Sequence, residues 1–157
     1  MDGVERGEMM DAKSILNKTK KILKNDTTKD DKLQKISDLL KCKVSYYDWV
    51  GFYLVEKGRL VLGPFSGEPT EHTKIDFGEG ICGQAAETEE NFVVQDVSQE
   101  TNYLSCSPKV KSEIVIPILK DGKVIGELDI DSHETSPFTI EDEKMLGKIC
   151  DEVADVL

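Results

Sequence analysis

The spacing of apolar residues changes character twice along the chain. Over residues 11–24, Ile15, Leu16, Ile22 and Leu23 recur among lysines on one helical stripe, and Leu33, Ile36, Leu39 and Leu40 repeat the pattern over 30–42. Asn25-Asp26-Thr27-Thr28 between them supplies turn and N-cap chemistry, so two short amphipathic helices are predicted. From Trp49 the texture becomes that of strands. Residues 49–55 and 59–65 flank Lys57-Gly58, a hairpin turn, and further strands are predicted at 73–77, 91–95, 113–119 and 124–130, with Asp121-Gly122 joining the last two. Residues 82–88 fit a short helix opening at a glycine turn, which would direct backbone N–H groups towards whatever fills the adjacent pocket. The helical period returns after Thr139, where Ile140-Glu141-Asp142 puts acids in a first turn and Met145, Leu146, Ile149, Val153 and Leu157 line one face.

These elements sum to an α+β fold in one domain spanning 11–157. A central, mostly antiparallel sheet carries the N- and C-terminal helices on one face and long loops, roughly 63–91 and 96–112, across the other. A chain of 157 residues has enough length for one core. Residues 1–10 contain no apolar stretch of a secretory signal and are expected to form a flexible N-terminal segment. No apolar run approaches the ~18 residues of a membrane span, so a cytoplasmic protein is expected. The net charge of -11 repels phosphate backbones and anionic lipid, which argues against nucleic acid and membrane as partners. Lysines between 13 and 43 interleave with acids and read as solvated helix faces. Cysteines 42, 82, 106 and 150 are expected to be free thiols; with no C-x-x-C pair and no His/Cys cluster, no metal site is expected.

The residues that carry chemistry fall in the loops and late strands. Cys82 sits in Gly78-Glu79-Gly80-Ile81-Cys82-Gly83, where the glycines let the backbone turn tightly, and Cys106 in Tyr103-Leu104-Ser105-Cys106-Ser107-Pro108, with Glu113 seven residues on. Two loop thiols with acids nearby point to thiol redox chemistry. Asp129 and Asp131, two apart on a strand, share one face of the sheet, which must therefore line a polar pocket or meet solvent. Like charges that close raise at least one pKa and leave a proton to donate; ionised, either acid can bind an ammonium. Trp49 and Tyr53 alternate with Gly51 and taken alone read as core aromatics. Cys42 and Cys150 read as small buried hydrophobes, His72 as a surface strand residue and His133 as a loop residue, none of them catalytic.

Taken together, Trp49-Val50-Gly51-Phe52-Tyr53, Leu62-Gly63-Pro64-Phe65-Ser66-Gly67, the Gly78–Gly83 segment, Cys106 with Ser112-Glu113-Ile114-Val115, and Leu128-Asp129-Ile130-Asp131-Ser132 resemble the GAF-domain family. Within that family they closely resemble the free methionine-(R)-sulfoxide reductases. The resemblance implies that Cys106 is the attacking nucleophile and Cys82 the resolving thiol, with Trp49, Tyr53, Glu113, Asp129 and Asp131 around the substrate. A further cysteine that family members often carry ten residues before the one matching Cys82 is here His72, which speaks against a relay through three thiols. The implied activity is reduction of free methionine-(R)-sulfoxide through a thiolate, sulfenic acid and disulfide cycle, with no bound cofactor and with thioredoxin or a similar dithiol as external reductant. A homodimer is left open. The alternative is a non-catalytic GAF module that binds a small molecule or senses redox state through the same thiols; fold alone does not separate the two.

Overall fold

The computed structural model describes residues 11–104 and 107–157; the expected flexible segment 1–10 and the candidate nucleophile Cys106 lie outside the described residues. Two amphipathic helices open the chain, α1 (Ala12–Lys24) and α2 (Lys29–Lys43). Asp11 caps α1 by accepting the Ser14 amide, and Thr28 caps α2 by accepting that of Asp31. Strands β1 (Trp49–Glu56) and β2 (Arg59–Ser66) meet at Lys57-Gly58, where both residues have positive φ, as a tight hairpin with the native twist requires. The same geometry at Asp121-Gly122 joins β5 (Ser112–Lys120) to β6 (Lys123–Ser132). Short strands β3 (Lys74–Asp76) and β4 (Phe92–Val94), helix α3 (Gly80–Thr88) and a 3-10 turn (Val97–Gln99) lie between the hairpins, and α4 (Ile140–Ala154) closes the chain.

The six strands form one antiparallel sheet in the order β3-β2-β1-β6-β5-β4, so the first and last strands of the chain pair at its centre. Period-two alternation then sorts side chains onto two faces. Val50 and Phe52 of β1, Ile114, Ile116 and Ile118 of β5, and Leu128 and Ile130 of β6 point to one side, where Ile15, Leu33, Ile36, Leu40, Leu146, Ile149 and Val153 from α1, α2 and α4 cover them. That is the main core. At its edge, Thr139 and Asp142 form a reciprocal capping box that starts α4, and the buried Asp142 carboxylate also accepts the hydroxyls of Tyr46 and Tyr47.

The α+β domain therefore has the expected layers: helices from both ends of the chain on one face and the irregular segments on the other. Some local expectations need correction. The loop predicted from 63 starts only after Ser66, because β2 runs on to pair Ser66 with Val50. Cys42 is exposed rather than buried, since it sits about half a turn around α2 from Leu33. Cys150 is buried as expected, its thiol directed at the Ile116 carbonyl at 3.7 Å, and burial pushes its pKa up. His72 is half-buried in the loop before β3, not on a strand. Among the described residues no helix is long and apolar enough to cross a membrane.

Candidate active site

The second face of the sheet is built from the opposite parity of the same three central strands. Trp49, Gly51 and Tyr53 of β1 lie beside Asp131, Asp129 and Glu127 of β6, and β5 adds Glu113 next to Asp131 and Val115 next to Asp129. Gly51 is required here because the Trp49 ring lies across it: a Cβ would fall 2.4 Å from that ring. Held in this way, Trp49 stacks on Phe65 with ring centroids 5.5 Å apart and donates its indole N–H to the Glu68 carbonyl at 2.9 Å. Tyr53 donates its hydroxyl to the His72 carbonyl at 2.8 Å.

Helix α3 and the segment after the 3-10 turn cover these rows. Gly78 and Gly80 adopt φ of +90° and +67°, so the chain turns sharply from β3 into α3. Gly83 packs so tightly on the end of β3 that a Cβ there would meet the Asp76 carbonyl oxygen at 2.5 Å. Asn102 ties the following segment to this turn: its Oδ1 accepts the Gly80 amide at 2.9 Å and its Nδ2 donates to the Gly78 carbonyl at 2.8 Å. Gln84 adds bonds to the carbonyls of Gly80 and Asn102. The first turn of α3 thereby points Cys82 down onto the acids, with its sulfur 3.8 Å from Glu113 Oε2.

Burial dominates the electrostatics. Glu113, Glu127, Asp129 and Asp131 are all buried, and among the described residues neither Glu127 oxygen nor Asp129 Oδ1 has a conventional hydrogen-bond partner. Desolvation raises the pKa of Glu127 well above the usual range, with Asp129 adding to it and the Cys82 thiol partly opposing it. Asp129 is raised by desolvation against the opposing hydrogen bonds of Glu113 and Cys82, and Asp131 is raised well by desolvation, then by Asp129 and Asp48. The Cys82 thiol is pushed well up by its burial and then by Asp129, Glu113, Glu127 and Asp131. This corner of the protein therefore favours protonated forms: burial pushes the Cys82 thiol and the carboxyls of Glu127, Asp129 and Asp131 towards their neutral states.

Two cavities open on this face. A small one of about 20 Å³, room for one water-sized species, is lined by Tyr53, His72, Cys82, Leu104, Glu113 and Asp129 among others. A larger one of about 350 Å³ is lined by Trp49, Asp131, Asp48, Glu68, His133 and Ser107, among others. Asp131 and Glu113 are cross-strand partners, so the two cavities share a wall of carboxyls. His133 closes part of the larger one, its amide bound to Asp48 Oδ2 at 2.7 Å and its ring 3.7 Å from the same oxygen.

The structure thus brings Cys82, Glu113, Asp129, Asp131, Trp49 and Tyr53 to one face, with Tyr53 on the small cavity and Trp49 on the large. The reading of an acid pair on a solvated edge does not hold, since both aspartates are 4 % exposed. Sequence reasoning passed over Glu127, although it shares the parity of Asp129 and Asp131 and lies opposite Tyr53. It also passed over Phe65 as the stacking partner of Trp49, and over Asp48 and His133 as cavity walls. His72, set aside as a surface residue, lines the small cavity.

The GAF domain family matches residues 30–157. The chain is 38% identical to GAF domain-containing protein A of Dictyostelium discoideum over 87% of its own length and 85% of that protein's. It is 37% identical to the free methionine-R-sulfoxide reductase of Escherichia coli over 80% and 75% of the two lengths. Among solved structures it superposes with a TM-score of 0.87, at 34% identity and covering 92% and 87% of the two chains, on the free methionine-R-sulfoxide reductase of Neisseria meningitidis in complex with its substrate. The chain belongs to the GAF-domain family, in the branch of the free methionine-R-sulfoxide reductases.

Proposed function

We propose that this protein reduces free methionine-(R)-sulfoxide to methionine, with Cys106 as nucleophile, Cys82 as resolving thiol and a thioredoxin-like dithiol as final reductant. The observation that carries this reading is geometric: the buried Cys82 thiol lies 3.8 Å from Glu113 Oε2 and shares a small cavity with Glu113 and Asp129, next to an acid- and indole-lined cavity able to hold an amino acid. Relatives in the same branch are named for this reaction, and the R configuration comes from them.

The acids divide the work. Asp131 and the carboxyls around the larger cavity receive the substrate ammonium, and Trp49, fixed by Phe65 and the Glu68 carbonyl, walls the side chain. Glu113 and Asp129, which share a hydrogen bond, supply the proton that the sulfoxide oxygen needs as its bond to sulfur breaks. The Cys106 thiolate takes that oxygen, leaving methionine and a sulfenic acid; the Cys82 thiol then condenses with it, forming a disulfide and releasing water. The raised pKa of Cys82 suits this second role better than the first, because attack on sulfoxide needs a standing thiolate, whereas resolution can hand the proton to a neighbouring carboxylate as the disulfide forms. An external dithiol reopens the disulfide and is itself oxidised.

The test is a thioredoxin-coupled assay of NADPH consumption with free methionine-(R)-sulfoxide, its N-acetyl analogue and the free S form. Cys106→Ser is expected to lose turnover with its fold intact, since a hydroxyl is no soft nucleophile. The free R form is expected to exceed the acetylated one by on the order of 10³-fold in kcat/KM, because a missing ammonium leaves buried acids unpaired. Equal rates on the two, or full activity of Cys106→Ser, would reject the reading.

A further inference from the structure

We propose that Cys82, Glu113 and Asp129 form a binding site for one zinc ion in the reduced protein. No sequence spacing hints at it, because the three donors come from α3, β5 and β6. The fold nevertheless brings one ligand atom from each to within 4.8 Å of the others, and all three residues are buried. Tetrahedral zinc, with Zn–S of about 2.3 Å and Zn–O of about 2.0 Å, separates sulfur and oxygen ligands by about 3.5 Å. The 3.8 Å between Cys82 Sγ and Glu113 Oε2 is close to that without rearrangement.

Two further observations favour an ion over a structural knot of acids. Asp129, 4 % exposed, lines the small cavity and keeps Oδ1 buried with no hydrogen-bond partner among the described residues. The cavity these residues share, about 20 Å³, has room for one ion or water and little else. Its wall includes His72 and Leu104, both half-buried. Thiolate with two carboxylates suits borderline-soft zinc and disfavours magnesium and calcium, which take oxygen donors alone. On binding, zinc displaces the Cys82 proton and the proton shared by Glu113 and Asp129, both of which pass to solvent, and water completes the fourth position. The binding itself stands on the geometry. Its consequence, a reversible hold on turnover by engaging the resolving thiol and the proton donors, rests on the proposed reductase activity.

The test uses the full chain, reduced with a phosphine and freed of metal, titrated with zinc against a chromophoric chelator. One zinc per chain is expected, with no competition from millimolar magnesium or calcium. Cys82→Ser and Asp129→Asn are each expected to weaken binding by on the order of 10²-fold or more, while Cys42→Ser, exposed on α2, leaves it unchanged. X-ray absorption at the zinc edge of the wild-type complex is expected to show one sulfur at about 2.3 Å with oxygen ligands, independently of how the variants fold. No stoichiometric binding by the wild-type protein, full binding by Cys82→Ser, or a zinc environment with no sulfur or more than one overturns the site. Zinc bound as described but without effect on turnover keeps the site and overturns only its inhibitory consequence.

Discussion

Buried carboxyls occur on both faces of this sheet, and their surroundings differ completely. On the helical face, Asp142 is fully buried and accepts from Thr139 N, Thr139 Oγ1, Tyr46 Oη and Tyr47 Oη. On the other face, Glu127 and Asp129 are also buried but leave three carboxyl oxygens without a hydrogen-bond partner among the described residues. An acid kept for structure is saturated with donors, because an unmet buried charge costs more than a made hydrogen bond gains. Acids left short of donors raise the free energy of the folded state, and such a cost is tolerated where charge or protons are needed for a ligand. The comparison separates scaffold from site within one residue type, by counting donors.

Removing the scaffold acid should have the largest effect. Asp142→Ala removes the N3 half of the α4 capping box and takes the acceptor from the buried Tyr47 hydroxyl, so a loss of about 3–5 kcal/mol in urea unfolding is expected. A loss below about 1 kcal/mol would erase the distinction between the two faces.

The site acid should behave in the opposite way. Asp129→Asn is expected to lower kcat/KM by roughly 10²-fold, the scale for losing a general acid, while stability stays level or rises. Steady-state kinetics and urea unfolding on one preparation check both halves. Wild-type kinetics with lost stability would move Asp129 to the scaffold class.

How much of this was readable in advance follows from where each signal is local. Lys57-Gly58 and Asp121-Gly122 announce their hairpins because a two-residue turn dictates its own φ values. Thr28 and Thr139 announce helix starts in the same way. The parity of Asp129 and Asp131 was equally plain. That their face is buried was not, since its cover comes from α3 and the Asn102 segment, held by contacts across 22 and 24 residues of chain. The pairing of β1 with β6 is likewise non-local, and it sets Asp131 beside Trp49 and Glu127 beside Tyr53. Glu127 was missed because a lone glutamate in a strand usually means solvent, and only the closed roof makes it an exception. Cys42 departs from expectation for a different reason: the sequence reading places it on the apolar face of α2 or its end, whereas its angle around the helix, about half a turn from Leu33, turns it to solvent.

A smaller effect is expected from trimming one donor at the scaffold acid. Tyr47→Phe removes one hydrogen bond to Asp142 and leaves the others, so a loss of about 1.5 kcal/mol is expected near neutral pH. Its pH dependence is specific. Burial, then Asp142, raise the Tyr47 pKa well above its ordinary value, so the folded state keeps a proton that the unfolded chain loses above about pH 10. Stability linked to this group is present below that pH and falls as pH rises beyond it. The wild type should therefore lose stability above pH 10 more steeply than Tyr47→Phe, and parallel alkaline profiles would show that Tyr47 does not carry the linkage.

The smallest effect has the opposite sign, and it bears on why buried acids short of donors persist. Glu127 faces Asp129 on its own strand, Tyr53 on β1 and the Cys82 thiol from α3, and burial followed by Asp129 raises its pKa well above the usual value. The unfolded chain ionises this group from about pH 4.3, whereas the folded protein resists until a higher pH. Stability contributed here is full below that unfolded value, falls as pH rises towards the folded one, and is flat above it. Glu127→Gln removes the titration but keeps the shape, so it should match the wild type near pH 4 and exceed it by about 1 kcal/mol at pH 7, the low end of a buried group's desolvation penalty. Urea unfolding at the two pH values measures the difference directly. A variant less stable than the wild type at pH 7 would mean that Glu127 is held by donors as Asp142 is, and the contrast between the two faces would then fail at its most deeply buried residue.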